Sequence, residues 1–449
     1  MHRRAFLAAG MAVGTAGCLQ FSETDAGTEG STATESPPSE TAGEPTATAT
    51  EEPTETPAAT LDELACPADR SLSGAPTDDW GQPQSDAAGT GYVPEESVGT
   101  SSACIAWRQE NLGRASNAVV LSDSFVFTGG DGGDGLRASD RTTGELAWTT
   151  QELLPEAYNV RNPLVVDGTV YFTGEVSGDG GHVFALDAET GREQWRAKPV
   201  TDAGNMGVLR ADGRTLYGTS LIENEGDNAV AWALDTREQT TRWQTPLSGR
   251  RVLSCAVGDG RVYFGGDNDV PAGIQALDAD TGAVLWRAIE AQVAGAPTPT
   301  ADAVYATTND TPDAPTLFAL DPETGDTQWT YETMNGTDAS PIVADDTVTF
   351  STPDGLFCLG TDGTGLWRYD GRGSRTSRGS PVRVGETVLV GSSTDDGGLL
   401  AVDATSGEPQ WFVPTPAVPM TPAAVDGDIY AMYRTEDDWA HHLMALRTA

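Results

Sequence analysis

The residues of this sequence best suited to gripping a ligand are seven arginines: Arg114, Arg161, Arg250, Arg251, Arg372, Arg375 and Arg378. A guanidinium offers a planar fork of donors that holds carboxylate or phosphate bidentately. They stand out against a strongly acidic chain of 449 residues. Lys and Arg total 26, Asp and Glu total 67, and the formal charge is -41, with Lys198 the only lysine. Ser116, Asn117, Asn162, Asn205, Ser254, Ser340 and Ser380 lie close by in sequence or at equivalent places. These patterns predict a rim that binds an anion or an acidic partner, with Arg114, Arg161, Asn162, Arg251, Arg375 and Arg378 at its centre. The competing reading is that these arginines neutralise neighbouring loop carboxylates. Nucleic-acid binding through a general basic surface is excluded, because phosphate is repelled over most of such a molecule.

Catalytic patterns are missing. The sequence has no HExxH, CxxC or GxSxG, and no residue is nominated as catalytic. Gly130-Asp-Gly-Gly-Asp-Gly135 matches GxGxxG in letters only. No helix is expected after it, and Asp131 and Asp134 would repel a pyrophosphate, so it reads as a loop between strands. Asp267-Asn268-Asp269 and Asp395-Asp396 are oxygen-rich enough to be considered for calcium, which needs six to eight converging oxygens. In so acidic a chain they read as solvated loops. His441-His442 reads as a polar turn and not a metal site. Cys358 reads as a small buried apolar residue, and Cys255 lies on an inner strand. Cys66 and Cys104 could form a disulfide in an exported protein. Asn309-Asp-Thr311 and Asn335-Gly-Thr337 are glycosylation sequons on loops.

A repeat must position these residues. Val183-Phe-Ala-Leu-Asp-Ala-Glu-Thr-Gly-Arg-Glu-Gln-Trp195 recurs as the segments ending at Trp286, Trp329 and Trp411, with weaker copies ending at Trp148, Trp243 and Trp367. Trp107 makes the eighth. The intervals from Trp107 onward are 41, 47, 48, 43, 43, 38 and 44 residues. Each unit carries four strand signals: in the copy ending at Trp195 these are 162–166, 169–174, 183–186 and 192–196, with Asp167-Gly168 as a hairpin turn. No segment keeps a 3.6-residue period. Four strands in each unit of this length make a propeller blade. After Trp411 only three strands remain, at 421–425, 429–433 and 442–447. The missing fourth is Ile105 to Arg108. The expected fold is therefore all-β, an eight-bladed propeller of four-stranded antiparallel blades, closed by an N-terminal strand on the last blade. Trp107, Trp148, Trp195, Trp243, Trp286, Trp329, Trp367 and Trp411 wedge the seams. The arginine-bearing segments then lead into innermost strands and share one face.

The N-terminus reads as an address. Arg3-Arg4-Ala5-Phe6-Leu7 resembles a twin-arginine export signal. The apolar run at 8–16 is too short to span a bilayer. Thr15-Ala16-Gly17-Cys18 resembles a lipoprotein box, with Cys18 as the lipidated residue. The organisation is thus 1–18 signal with lipobox, 19–62 a disordered Thr/Glu/Pro-rich stalk, 63–103 a segment leading into the ring, and 104–449 the propeller. The excess of acid over a single lysine resembles proteins of halophilic archaea, for which molar salt shrinks electrostatic range to about 3 Å.

The Ala-Leu-Asp-x-x-Thr-Gly-x-x-x-Trp unit resembles the repeats of quinoprotein alcohol dehydrogenases and of BamB-like lipoproteins. The resemblance runs over about 79–449, and the stretch from Asp79-Trp80 to Tyr92 is similar to the lead-in of these proteins. It implies blade-docking tryptophans. For the dehydrogenases it also implies pyrroloquinoline quinone on a calcium site, commonly with a disulfide between adjacent cysteines; no adjacent pair occurs here. The expectation is a non-catalytic, exported, monomeric lipoprotein on the outer face of the cytoplasmic membrane. It would touch lipid only through its anchor and bind a protein or anionic ligand at its rim, with no cofactor. The alternative is a dehydrogenase that uses pyrroloquinoline quinone and calcium.

Overall fold

The computed structural model describes residues 61–449 apart from 76–79, 111, 116–118, 132–134, 202, 223–227, 250–251, 267–272, 310–313, 371–378, 393–396 and 436–439. Eight blade sheets make the ring, seven of four antiparallel strands and the seventh blade with a fifth, parallel strand added to its four, as a propeller requires. The second blade shows the pattern: Ala157–Val166, Thr169–Val176, Gly180–Asp187 and Glu193–Ala197, paired in that order. Asp167 (φ 49) and Gly168 (φ 72) make its first turn. Left-handed backbone at both central residues is what a tight hairpin between twisted strands needs.

The repeat motif explains the last turn of each blade. The Asp187 carboxylate accepts from the Thr190 amide at 2.9 Å and hydroxyl at 2.7 Å, and Gly191 takes φ 66. Hydrogen bonds from the Thr190 hydroxyl and amide hold Asp187 below the usual carboxylate range. The Thr281 hydroxyl and amide do the same for Asp278. Beyond this turn every blade carries a bulge. Ala185 pairs with Trp195 but Leu186 pairs with Glu193, leaving Gln194 extra. A bulge re-aims a side chain, and here it sends the tryptophan across the seam.

The glycine of the turn is where the next tryptophan lands. A Cβ on Gly325 would lie 2.6 Å from the Trp286 ring, and one on Gly282 would lie 2.5 Å from Trp243. The indole N–H then donates to the same turn: Trp286 to Pro322 O at 2.9 Å, Trp243 to Ala279 O at 2.9 Å, Trp148 to Ala188 O at 3.1 Å. Trp107, Trp329 and Trp367 make the equivalent bonds to Arg141, Thr361 and Ala404. Trp411 reaches Gly99 O instead, at 2.8 Å. Trp195 has no such bond among the described residues; it packs on Tyr171 with ring centroids 5.7 Å apart. Gln239, at φ 55, stands where its partner blade should offer the glycine. The core lies in these seams: Leu164 and Val183 of the second blade pack with Leu209, Leu216 and Trp232 of the third.

The ring closes as the strand count requires. Ala103–Gln109 is the outer strand of the last blade, antiparallel to His441–Thr448, with Trp107 opposite Ala445 and the same bulge at Ala106. Some details differ from expectation. His441 and His442 are not a turn. They start that strand and are buried, with His442 stacked on Tyr433 at 4.9 Å. Gly130–Asp131 is not loop but a short strand paired with Arg114–Ala115, because two extra residues of ladder extend the first blade. One four-residue helix, Thr150–Leu153, links the first two blades, its N-terminus capped by Thr149. No described helix is long and apolar enough to cross a membrane.

Candidate functional site

The segment that leads into the ring does more than lead. It runs once around the inside of the propeller and bonds to the blades in order. Leu121 N–H of the first blade donates to Trp80 O at 2.8 Å, and Val165 N–H of the second to Gly81 O at 2.6 Å. Gln82 exchanges two bonds with Ala211 of the third, at 2.9 and 3.0 Å. Val257 N–H donates to Ala87 O, the Thr298 hydroxyl to Gly89 O, Val343 N–H to Thr90 O and Arg383 N–H to Gly91 O. Tyr92–Val93 then adds a parallel strand to Val382–Val384 of the seventh blade. Gly427 N–H donates to Ser97 O in the eighth. The segment is a belt. It satisfies inner-strand backbone groups that would otherwise face the channel without partners.

The belt is fastened where it starts. Cys66 and Cys104 form the disulfide, so residues 66 to 104 are one covalent loop. The Asp428 carboxylate, fully buried, accepts from Ser73 N–H, the Ser73 hydroxyl, Gly74 N–H and Arg447, the last at 2.8 Å. A buried carboxylate so surrounded is stable, and removing its partners would strand the charge. Sequence reasoning passed over Asp428, although it stands where the other hairpins carry Thr169, Thr215, Thr347 and Thr387. Arg210 was missed as well. Its buried guanidinium donates to Cys255 O at 2.9 Å and to Pro83 O and Asp86 O of the belt. Burial pulls its pKa below the usual arginine value.

Where the belt crosses the axis it leaves a cup of about 340 Å³, lined by Gln82, Ser85, Asp86, Tyr92 and Asp212 among others. Asp212 belongs to the third blade and Tyr92 pairs with the seventh, which stand opposite each other in a ring of eight. The cup therefore spans the axis, at the end where first and second strands turn. Its floor is the turn at Gln84 (φ 57) and Ser85 (φ 69), left-handed at two non-glycine residues. The Ser85 hydroxyl and the Gln84 amide nitrogen are buried there with no hydrogen-bond partner.

The described part of the predicted arginine rim lies at the other end. Of its residues, Arg161 is exposed on Ala157–Val166, and the short ladder holding Arg114 runs beside that strand. Arg250, Arg251, Arg372, Arg375 and Arg378 lie outside the described residues, as do Cys18, Ser116, Asn117, Asp267 to Asp269 and Asp395 to Asp396; for Asn162 and Asn205 only the backbone is described. Two of the serines expected beside the arginines, Ser340 and Ser380, have another job, while the Ser254 hydroxyl is buried without a partner. Ala296 N–H donates to the Ser340 hydroxyl at 2.7 Å, Ser340 N–H to that of Ser380 at 2.9 Å, and Ser380 N–H to that of Thr421 at 2.9 Å. Each of these four residues precedes a proline, and together they link four successive blades.

A quinone–calcium centre needs converging oxygens. No group of three His, Cys, Asp or Glu side chains able to hold a metal occurs among the described residues. The free thiols Cys255 and Cys358 are buried in different blades. Burial pushes Cys255 up to about 12 and raises Cys358, so neither is a thiolate near neutrality.

A family model described as outer membrane protein assembly factor BamB matches residues 102–254 and 227–449. The chain belongs to that family. The chain is 33% identical over 167 residues to quinohemoprotein alcohol dehydrogenase ADH-IIG of Pseudomonas putida, a match spanning 33% of this chain and 22% of that protein. It is 28% identical over 155 residues to BamB of Salmonella typhimurium, spanning 32% of this chain and 38% of the relative. Among solved structures, quinohemoprotein alcohol dehydrogenase from Comamonas testosteroni superposes with a TM-score of 0.63 at 15% identity, covering 84% of this chain and 81% of that one. BamB from Moraxella catarrhalis gives 0.55 at 19%, covering 77% and 98%. Both likenesses carry the fold.

Proposed function

We propose that the chain is a non-catalytic, exported lipoprotein of a halophilic archaeon. It is anchored through Cys18 to the outer face of the cytoplasmic membrane, and its monomeric propeller holds a protein or anionic ligand at the arginine-bearing rim. The observation that carries this reading is the fastened ring: a belt bonded to the inner strands and tied by Cys66–Cys104 makes a rigid platform whose loops are free to vary. A disulfide suits an oxidising compartment. The family description, an assembly factor, supports a scaffold.

Cys18→Ser should release the protein from membranes into the soluble fraction. Arg251→Glu with Arg375→Glu should abolish capture of a membrane partner or anionic ligand while leaving the fold intact; unchanged capture removes the rim from the account. The likeness to quinohemoprotein alcohol dehydrogenases supports a second reading, a dehydrogenase using pyrroloquinoline quinone and calcium. An absorbance band acquired on adding quinone and calcium, with alcohol-dependent dye reduction, would decide for it.

A further inference from the structure

Each blade turns from its first to its second strand beside the axis, and each turn carries an exposed carboxylate, from Asp123 in the first blade to Asp426 in the eighth. Arg383 meets two of them, Asp345 at 3.4 Å and Glu386 at 3.5 Å. Asp167, Asp212 and Asp302 make no ion pair among the described residues. Asp167, Asp259, Asp345 and Asp426 hold left-handed turn positions that aspartate tolerates, whereas Asp212 and Asp302 do not, so the turn geometry does not call for those two charges. This ring surrounds the axial cup, which adds Asp86. Both oxygens of that carboxylate are oriented by Thr90, at 3.0 Å from its N–H and 2.6 Å from its hydroxyl. Among the described residues no basic side chain lines the cup itself; the nearest guanidiniums are Arg210, already bonded to the Pro83 and Asp86 carbonyls, and Arg383, stacked over the Tyr92 ring. At its floor Ser85, 7% exposed, keeps a buried hydroxyl without a partner. A buried polar group left unpaired is costly, and a ligand donor that reaches it removes the cost.

We propose that this end of the ring docks an arginine- or lysine-rich segment of a partner protein, one side chain of which enters the cup and bonds to Ser85, Asp86 and Asp212. The cup holds one long cationic side chain. The surrounding carboxylates meet the neighbouring positive charges, and the field of a clustered rim draws the segment in. The proposal stands independently of the anchor and of the arginine rim.

The test titrates a fluorescein-labelled octa-arginine peptide into the full chain and follows anisotropy. Saturable one-to-one binding that weakens as salt rises is expected. The variant Asp167→Asn/Asp212→Asn/Asp302→Asn should weaken it about tenfold, and asparagine tolerates the left-handed turn at Asp167. A control variant of equal charge change away from the axis, Glu110→Gln/Glu152→Gln/Glu332→Gln, should change it less than about twofold. Ser85→Ala should weaken it about threefold. Equal losses in both triple variants, or no saturation, overturn the proposal. Hydrogen-exchange protection of the unmodified chain gives a reading free of folding effects. Peptide-induced protection at 82–94 and the first turns supports the site, and protection elsewhere overturns it.

Discussion

The seam between the fourth and fifth blades and the seam between the second and third come from the same repeat and end differently. In the first, Trp286 lies flat on Gly325 (φ 76) and its indole N–H donates to Pro322 O. In the second, Gln239 holds the glycine position at φ 55, and Trp195 makes no bond to the turn among the described residues. The comparison teaches that the glycine, more than the tryptophan, completes the joint. An indole can pack flat on backbone only where no Cβ intervenes. The third blade's turn reads Asp-Thr-Arg-Glu-Gln in place of Asp-Ala-Asp-Thr-Gly, so that joint lost its glycine and its carbonyl contact together.

Breaking the better seam should have the largest effect. Trp286→Ala should cost about 3–5 kcal/mol in denaturant unfolding, and Trp195→Ala about 1 kcal/mol less, for the hydrogen bond it lacks. Equal losses would mean that the bond and the glycine contribute nothing. The closing seam offers a second contrast. Cys66→Ser with Cys104→Ser opens a loop of sequence separation 38 and should lower stability by about 4 kcal/mol on the chain-entropy model. Gly325→Ala places a methyl against Trp286 on left-handed backbone and should cost about 1–3 kcal/mol. The reverse exchange, Gln239→Gly, should add about 0.5 kcal/mol, since relief of left-handed strain slightly exceeds the gain in unfolded freedom.

The smallest effect is the pH dependence of the turns. Asp278 titrates below its ordinary value of 3.8 in the folded chain. Its contribution is therefore present above that value and lost as pH falls through the folded one. Asp278→Asn should flatten acid unfolding below about pH 3.8 and lose at neutrality the small contribution that the ionised carboxylate makes there; an unchanged acid limb would show that the turn bonds do not discriminate charge.

Much of the ring was legible because its causes are local. Asp-Gly hairpins, the Asp-x-x-Thr-Gly turn and a tryptophan four residues past the glycine repeat in chain order, and three final strands demand a fourth. The belt was not legible. Trp80 to Val93 makes its bonds mostly through backbone carbonyls, which carry no sequence signature, and its partners lie in seven different blades. Ser340 and Ser380 show the opposite failure. Their type suggested ligand binding, but only three-dimensional neighbours reveal that each accepts from the blade before it. His441 and His442 look polar in sequence, yet they pair with Arg434 and Tyr433, His441 exchanges backbone bonds with Leu112 and Gly113, and both are buried.

The most direct test of a belted, closed ring is amide hydrogen exchange at Leu121, Val165, Val257, Val343 and Arg383, one in each of five blades. The account predicts that all five are protected to a similar degree and lose protection together when Cys66 and Cys104 are replaced by serine. Exchange of these amides at loop-like rates, while the strands beside them stay protected, would contradict it.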